Sequence, residues 1–161
     1  MSFRVGFGVD YHQLMQGRKL WIGGVLIPHD KGALGHSDAD VLLHAICDAL
    51  LGALCLGDIG VHFPNTDPNY KDIQSIKLLE KTWKLIKQKQ YGVVNIDSTV
   101  CLETPAIKNH VAEMRQVIAA ALEITDMDVS IKATTTEKMG FIGRKEGLAA
   151  YATVLLKKNG G

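Results

Sequence analysis

Cysteine is scarce in this chain, and what there is has no arrangement for cross-linking or metal capture. Cys47, Cys55 and Cys101 form an odd set without CxxC spacing, which argues against a disulfide framework or a thiolate zinc site. They read as small apolar fillers in a reducing compartment. Aromatic residues make up 6% of the chain, too few for the stacking platforms that grip single strands. An excess of one charge is missing too. A net charge of +1 gives no phosphate-neutralising surface, so no nucleic-acid partner is expected. No run approaches the ~20 apolar residues of a membrane span. The opening MSFRVGFGVD is interrupted by an acid and lacks the basic-then-apolar order of a signal peptide. A soluble, cytoplasmic protein with no membrane partner is expected.

What is present is ordinary globular material. The chain has 161 residues, 47% of them apolar, enough to bury one core, and a single domain over residues 1–161 is expected. FRVGFGVDYH reads as a strand. RKLWIGGVLIP, with Gly23–Gly24 at its centre, reads as a short hairpin or a bent strand. HDKGALGHSD is a glycine-punctuated loop. Residues 38–54 read as a helix that is apolar almost all round and therefore buried, with Ser37 as its N-cap and Asp38 and Asp40 at the positive end of its dipole. Residues 55–70 form a turn-rich loop. A second helix is expected over 72–89, with Ile73, Ile76, Leu79, Trp83 and Ile86 as its apolar stripe, and a third over 108–124, with Val111, Met114, Val117, Ile118 and Leu122. YGVVNIDSTVCLE, VSIKATTT and LAAYATVLLKK read as strands. Strands and helices alternate without a clean βαβ repeat, so the expected fold class is α+β: one sheet of mixed strands with the helices packed on one face.

Two patterns carry chemistry. In DYH, Asp10 and His12 are two residues apart on a strand and point the same way. On the buried helix, Asp40, His44 and Asp48 lie along one side, and an ionisable stripe there is costly unless each group is paired, bound to an ion or facing a wet cleft. Asp10, His12 and His44 together would make two imidazoles and one carboxylate, the three-ligand set of a catalytic zinc site with its fourth position open. Alternatively, His12 is an edge histidine and His44 is bonded to Asp40 or Asp48. Nothing local brings residues 10–12 and 44 together. His29, His62 and His110 show no such pattern and read as surface or loop residues.

The second pattern is ATTTEKMGFIGRKEG, residues 133–147. The hydroxyls of Thr134, Thr135 and Thr136, the hard carboxylate of Glu137 and the planar fork of Arg144 suit phosphate and Mg2+ or Mn2+. There is no Walker A spacing. The same composition also fits a polar, basic hairpin loop without a ligand.

Taken together and in order, DYH, GHSDADVLLHAICDALLGALCLGDIGVHFPNTD and TTTEKMGFIGR span nearly the whole chain. On these motifs the sequence resembles the 2-C-methyl-D-erythritol 2,4-cyclodiphosphate synthase family of the non-mevalonate isoprenoid pathway. The resemblance implies that 4-diphosphocytidyl-2-C-methyl-D-erythritol 2-phosphate is cyclised by attack of its 2-phosphate on the β-phosphorus, with release of CMP.

Residue by residue, the resemblance implies Zn2+, or another divalent transition metal, on Asp10, His12 and His44, and Mg2+ or Mn2+ on Glu137. His36, Ser37 and Thr135 would hold phosphate oxygens, with His36 and Thr135 stabilising the transition state. Asp48 would bond erythritol hydroxyls, and Asp58 the ribose. Ile59, Gly60, Phe63 and Asp67 would line the erythritol-phosphate side. Leu102, Pro105 and Lys108, with Thr134, Thr135 and Thr136, would form a cytosine pocket and its approaches from a neighbouring subunit. The implied assembly is a homotrimer, with sheets facing the threefold axis and active sites between subunits. Phe141 and Arg144 would line a central cavity that takes isoprenoid diphosphates in some members. The sequence departs from the pattern at Val9, where several members carry Phe, and at Ala106 and Lys108 in the pocket segment.

Overall fold

The first strand does more than any other element to organise the molecule. In the computed structural model, which describes residues 2–160, β1 runs over Phe3–Gln16. It pairs antiparallel along most of its length with β7 (Gly147–Lys158), from Phe3 opposite Lys157 to Gln13 opposite Gly147. Its far end pairs with the short β4 (Lys31–Ala33), a strand inside the segment read from sequence as a loop. On its other side β7 pairs antiparallel with β5 (Tyr91–Cys101), and β5 pairs parallel with β6 (Val129–Thr134). The order β4-β1-β7-β5-β6 is a five-stranded mixed sheet. A separate two-stranded ribbon, β2 (Leu20–Ile22) and β3 (Val25–Ile27), resolves the hairpin-or-bend alternative in favour of the hairpin. Its turn, Gly23–Gly24, has φ of 61° and 78°, the double left-handed conformation that glycine adopts without strain.

The sheet has a covered and an uncovered face. Leu148, Ala150, Ala152, Val154 and Leu156 of β7 and Ile96, Ser98 and Val100 of β5 are buried beneath the helices. On β1 the alternation is equally regular: Gly6, Gly8 and Leu14 face in, and Phe3, Val5, Phe7, Tyr11 and Met15 are exposed on the opposite face.

Helix α1 (Val41–Ala53) lies between the sheet and α3 (Ser75–Gln88), buried on nearly every side as its uniform apolarity predicts. It starts later than expected. Asp40, not Ser37, is its N-cap, and the carboxylate accepts the Leu43 N–H at 3.0 Å. The same carboxylate accepts the N–H groups of Gly23 at 2.9 Å and Gly24 at 2.7 Å, tying the β2–β3 turn to the head of the helix. Burial first, and the nearby Asp38 charge second, push its pKa up to about 6 against those three backbone donors. Helix α3 is three residues shorter at its start than the 72–89 reading. The third expected helix begins as a 3-10 turn over Lys108–His110 and continues as α4 (Val111–Leu122). Met114, Ile118 and Leu122 of its expected stripe are buried. The turn-rich segment after α1 contains one short helix, α2 (Ile59–His62), and a 3-10 turn at Pro68–Tyr70. Another short helix, α5 (Gly140–Gly143), precedes β7. Of the cysteines, Cys47 is buried as a filler, with burial pushing its thiol up to about 12. Cys55 is exposed, so the filler reading fails there: it follows the C-terminus of α1 with φ of 56°, outside the core.

Candidate metal centre and its surroundings

The head of the site depends on how closely β1 approaches α1. A Cβ on Gly8 would lie 2.0 Å from the Ala45 carbonyl oxygen, and one on Gly6 would lie 1.8 Å from that of Ala49. Only glycine on the strand, facing alanines on the helix, permits this separation. At the same packing distance, the next inward residues of β1, Asp10 and His12, reach the side chain of His44.

Three donor atoms converge there. Asp10 Oδ2 is 2.9 Å from His12 Nε2 and 3.1 Å from His44 Nδ1, and the two ring nitrogens are 3.2 Å apart. The far side of each ring is engaged as well. His12 Nδ1 lies 3.0 Å from the Leu34 carbonyl, which only accepts, so this nitrogen carries a proton, and in the neutral ring Nε2 presents a lone pair. His44 Nε2 lies 2.8 Å from Ser75 Oγ and 3.2 Å from Ser37 Oγ. A carboxylate and two ring nitrogens facing one point repel each other unless a cation or protons lie among them. Asp10 shows the same demand. Burial raises its pKa, but the bonds and charges of the two histidines outweigh this and leave it near 2. Burial lowers the pKa of His44, whereas Asp10 raises it, and the net direction is upward. The donor set, two imidazoles and a carboxylate close enough to share one ion, fits a divalent metal.

The alternative partners for His44 are excluded. Asp40 is committed to α1 and the ribbon turn. Asp48 Oδ1 accepts the Ile59 N–H at 2.8 Å, holding α2 against the C-terminal half of α1. Burial raises the Asp48 pKa, opposed by that N–H. Asp58 caps α2 by accepting the Val61 N–H at 3.1 Å, and Ile59 and Gly60 lie in its single turn. Phe63 closes the helix and packs edge-on against Tyr70. Asp67 accepts from Asn69 at 2.9 Å and 2.8 Å. His36 holds its segment through its carbonyl, which accepts the Asp72 N–H, while its Nε2 is buried without a partner.

The other expected residues form a second group. A cavity of about 190 Å³ is lined by Leu102, Glu103, Pro105, Ala106, Ile107, Lys108, Ala133, Thr134 and Thr135, so the pocket segment and the threonine run do meet. Beside it, Thr135 Oγ1 donates to Glu137 Oε1 at 3.0 Å, and Thr136 Oγ1 donates to the Met139 carbonyl at 2.6 Å. Glu137 and Lys138 both have positive φ, 53° and 66°. Among the described residues, no hydrogen bond or ion pair joins this group to the metal-centre group. On the uncovered side, Phe141 lies against Tyr11, with ring centroids 6.2 Å apart, beside a cavity of about 410 Å³. Arg144 is not part of that lining but forms a two-pronged pair with Glu146, which is.

Sequence reasoning missed Ser75 and saw only half of the task of Asp38, which accepts the Asp40 N–H at 3.2 Å at the head of α1 but also holds α3. Ser75 is the first residue of α3 and fully buried, and Asp38 binds it twice: Oδ2 accepts the Ser75 N–H at 2.9 Å, and Oδ1 accepts its hydroxyl. No local pattern announces this pairing across 37 residues of chain. The nearest signal is that α3 has an N-cap, Gln74, whose own side chain makes no capping bond.

These features define an α+β protein with a two-histidine, one-carboxylate centre between its first strand and its buried helix. The chain belongs to the YgbB family, whose model matches residues 3–157. It is 58% identical to a 2-C-methyl-D-erythritol 2,4-cyclodiphosphate synthase of Bacteroides thetaiotaomicron, over 99% of this chain and 100% of that one. Two solved structures share the fold. Bifunctional IspDF from Campylobacter jejuni superposes with a TM-score of 0.94 at 40% identity, covering 98% of this chain and 42% of that longer one. IspF of Plasmodium falciparum, solved as a CDP complex, superposes with a TM-score of 0.86 at 34% identity, covering 98% and 97%.

Proposed function

We propose that this chain converts 4-diphosphocytidyl-2-C-methyl-D-erythritol 2-phosphate into 2-C-methyl-D-erythritol 2,4-cyclodiphosphate and CMP, acting as a phosphorus–oxygen lyase in non-mevalonate isoprenoid biosynthesis. The observation that carries this reading is the convergence of Asp10, His12 and His44 in a chain so similar to synthases by name. The protein would act in the cytoplasm as one domain; no described helix is long and apolar enough to cross a membrane.

Asp10, His12 and His44 would hold Zn2+, and Glu137 would hold Mg2+ or Mn2+, a cation that keeps several waters and needs few protein ligands. When bound, the two ions supply neutralisation of the diphosphate, whose charge otherwise repels the incoming 2-phosphate. That nucleophile is already an anion, so no strong general base is required of the protein. The residues have to bring the two ends of the substrate together. His36, with an unpartnered buried nitrogen, and Ser37 would bind phosphate oxygens on the metal-centre side, and Thr135 would bind them on the other. Asp48 would orient the erythritol hydroxyls and Asp58 the ribose, with Ile59, Gly60, Phe63 and Asp67 walling that side. The cavity of Leu102, Pro105, Lys108, Thr134 and Thr135, flanked by Thr136, would take the cytosine. The relative solved with CDP supports a cytidine nucleotide as the ligand class.

A homotrimer is proposed on two observations. The two groups of site residues are not bonded to each other within one chain, and the uncovered sheet face carries Phe3, Val5, Phe7 and Tyr11 in the open, an apolar patch of the kind that marks an interface. Sheets facing a threefold axis would cover that face and let one subunit's metal group meet its neighbour's cytosine cavity. Phe141 and Arg144 would then border a central cavity able to take an isoprenoid diphosphate. The test is 31P NMR of the purified protein with the cytidyl substrate, Zn2+ and Mg2+. Cyclic diphosphate and CMP in equal amounts are expected; a linear product, or no CMP, would overturn the reading.

A further inference from the structure

We propose that Ser75 and Asp38 are positioning residues for His44: they fix its proton on Nε2 and so turn the Nδ1 lone pair toward the metal position. This rests on the reading of Asp10, His12 and His44 as ligands, and goes beyond it to two residues outside that set.

The direction of each bond follows from the donors available. The Asp38 carboxylate only accepts, and it lies against both the N–H and the hydroxyl of Ser75. A serine hydroxyl has one proton, and here that proton is given to Asp38. The oxygen of Ser75 is left with lone pairs, one of which faces His44 Nε2 at 2.8 Å. The nitrogen must therefore be the donor. Ser37 Oγ accepts the Ala39 N–H and lies 3.4 Å from Ser75 Oγ; with its own proton given to that oxygen, it is a weaker second acceptor for Nε2 at 3.2 Å. Asp10, 3.1 Å from Nδ1, attracts a proton there while no cation is bound; with Nε2 held as the donor, it is the Nδ1 proton that a metal displaces, leaving that lone pair for the ion.

The arrangement is rigid at both ends. Ser75 is fully buried at the first position of α3, and the Asp38 oxygen that accepts its N–H caps that helix in place of Gln74. The Asp38 backbone is itself anchored, its N–H donating to the Ile73 carbonyl at 3.1 Å. His12 reaches the same end by a different route, through the Leu34 carbonyl. Both imidazoles thus have their distant nitrogen assigned as donor, the arrangement that raises ligand basicity and orients the ring.

Asp38→Asn provides a sharp test. Two fixed backbone donors meet the side chain, the Ser75 N–H at 2.9 Å and the Asp40 N–H at 3.2 Å; the amide oxygen serves the shorter, which leaves the NH2 facing Ser75 Oγ. The Ser75 hydroxyl proton is then displaced toward His44 Nε2, and the ring proton moves to Nδ1, where the metal should be. Ser75→Ala keeps the N–H bond that starts α3 and removes only the acceptor. The readouts are zinc affinity by chelator competition with Asp10 intact, and the tautomer of His44 from 15N shifts of histidine-labelled, metal-free protein at alkaline pH in an Asp10→Ala background, which removes the carboxylate that itself holds a proton on Nδ1. With Ser75 and Asp38 intact the proton should be on Nε2. Asp38→Asn should move it to Nδ1 and lose about 10- to 100-fold in zinc affinity, and Ser75→Ala should lose the Nε2 preference and weaken zinc binding. An Nδ1–H tautomer with Ser75 and Asp38 intact in the Asp10→Ala background overturns the proposal even if a variant fails to fold. So does a variant that keeps zinc affinity within about twofold of wild type against the loss expected, or one that loses affinity with the tautomer unchanged. A wild type that binds no zinc removes the metal reading as well, whereas wild-type binding with unaffected variants removes the positioning role alone.

Discussion

Gly8 on β1 and Ala45 on α1 touch backbone to backbone: a methyl group on the glycine would fall 2.0 Å from the alanine's carbonyl oxygen. One residue back along the helix and one strand repeat on, the same approach brings His44 within bonding distance of Asp10. Gly8→Ala should push strand and helix apart, costing about 1–3 kcal/mol or more of stability, and should weaken zinc binding because the ligands separate. Denaturant unfolding and chelator competition on one preparation check both. Unchanged zinc affinity in the variant would mean that the close approach does not set the ligand geometry.

His44→Ala should leave two ligands and lose zinc at this centre. CMP release should fall by about a hundredfold or more, since removing several kcal/mol of charge stabilisation acts tenfold for each 1.4 kcal/mol. Metal analysis after dialysis, with a CMP assay on the same sample, reads the outcome. Full zinc occupancy in the variant would remove His44 from the ligand set.

Asp40 gives a pH dependence of definite sign. Its folded pKa, raised to about 6 chiefly by burial, lies above the unfolded value of 3.8. The folded chain therefore binds more protons between the two values, and this contribution is fully present below the lower one and lost as pH rises through the upper. Urea unfolding at fixed protein concentration should show a steeper fall in stability with pH across this window for wild type than for Asp40→Asn. Parallel profiles would place the Asp40 pKa at its ordinary value. The variant should also be less stable throughout, because an amide cannot accept from Gly23, Gly24 and Leu43 at once.

Charging the uncovered face tests the assembly. Val5 and Phe7 are 67% and 62% exposed in the single chain. Val5→Lys with Phe7→Lys should leave the core intact, since neither side chain faces it, and should convert a trimer to monomers in light scattering. Turnover should fall with the loss of trimer if the cytosine cavity comes from a neighbour. A double variant that stays trimeric would show that the interface lies elsewhere.

How far the sequence could be read depended on the range of the interactions. The alternation on β1 and the all-round apolarity of α1 are local patterns, so strand, helix and the shared direction of Asp10 and His12 were legible. Residue types and spacing offered the ligand set as one of two readings, and only motif resemblance chose between them, because the meeting of β1 with α1 rests on Gly6 and Gly8 against Ala45 and Ala49, a packing relation with no periodic signature. Ser37 was a plausible cap because serine before an acidic turn usually is one. Asp40 displaced it because the ribbon turn also needed an acceptor, a demand made by residues 23 and 24. Asp38 was legible in part: it does accept the Asp40 N–H at the head of α1, but its other partner, Ser75, is on α3. The loop over 55–70 hid α2 for another reason: a single turn capped by Asp58 is too short to show a helical period.

The most direct measurement is anomalous diffraction at the zinc edge from crystals soaked with Zn2+ and CDP. The account predicts a peak bonded to Asp10, His12 and His44 at about 2.0–2.2 Å, with a CDP phosphate oxygen at the remaining position. A map with no zinc among these three side chains, or with zinc there and the nucleotide bound far from it, would contradict it.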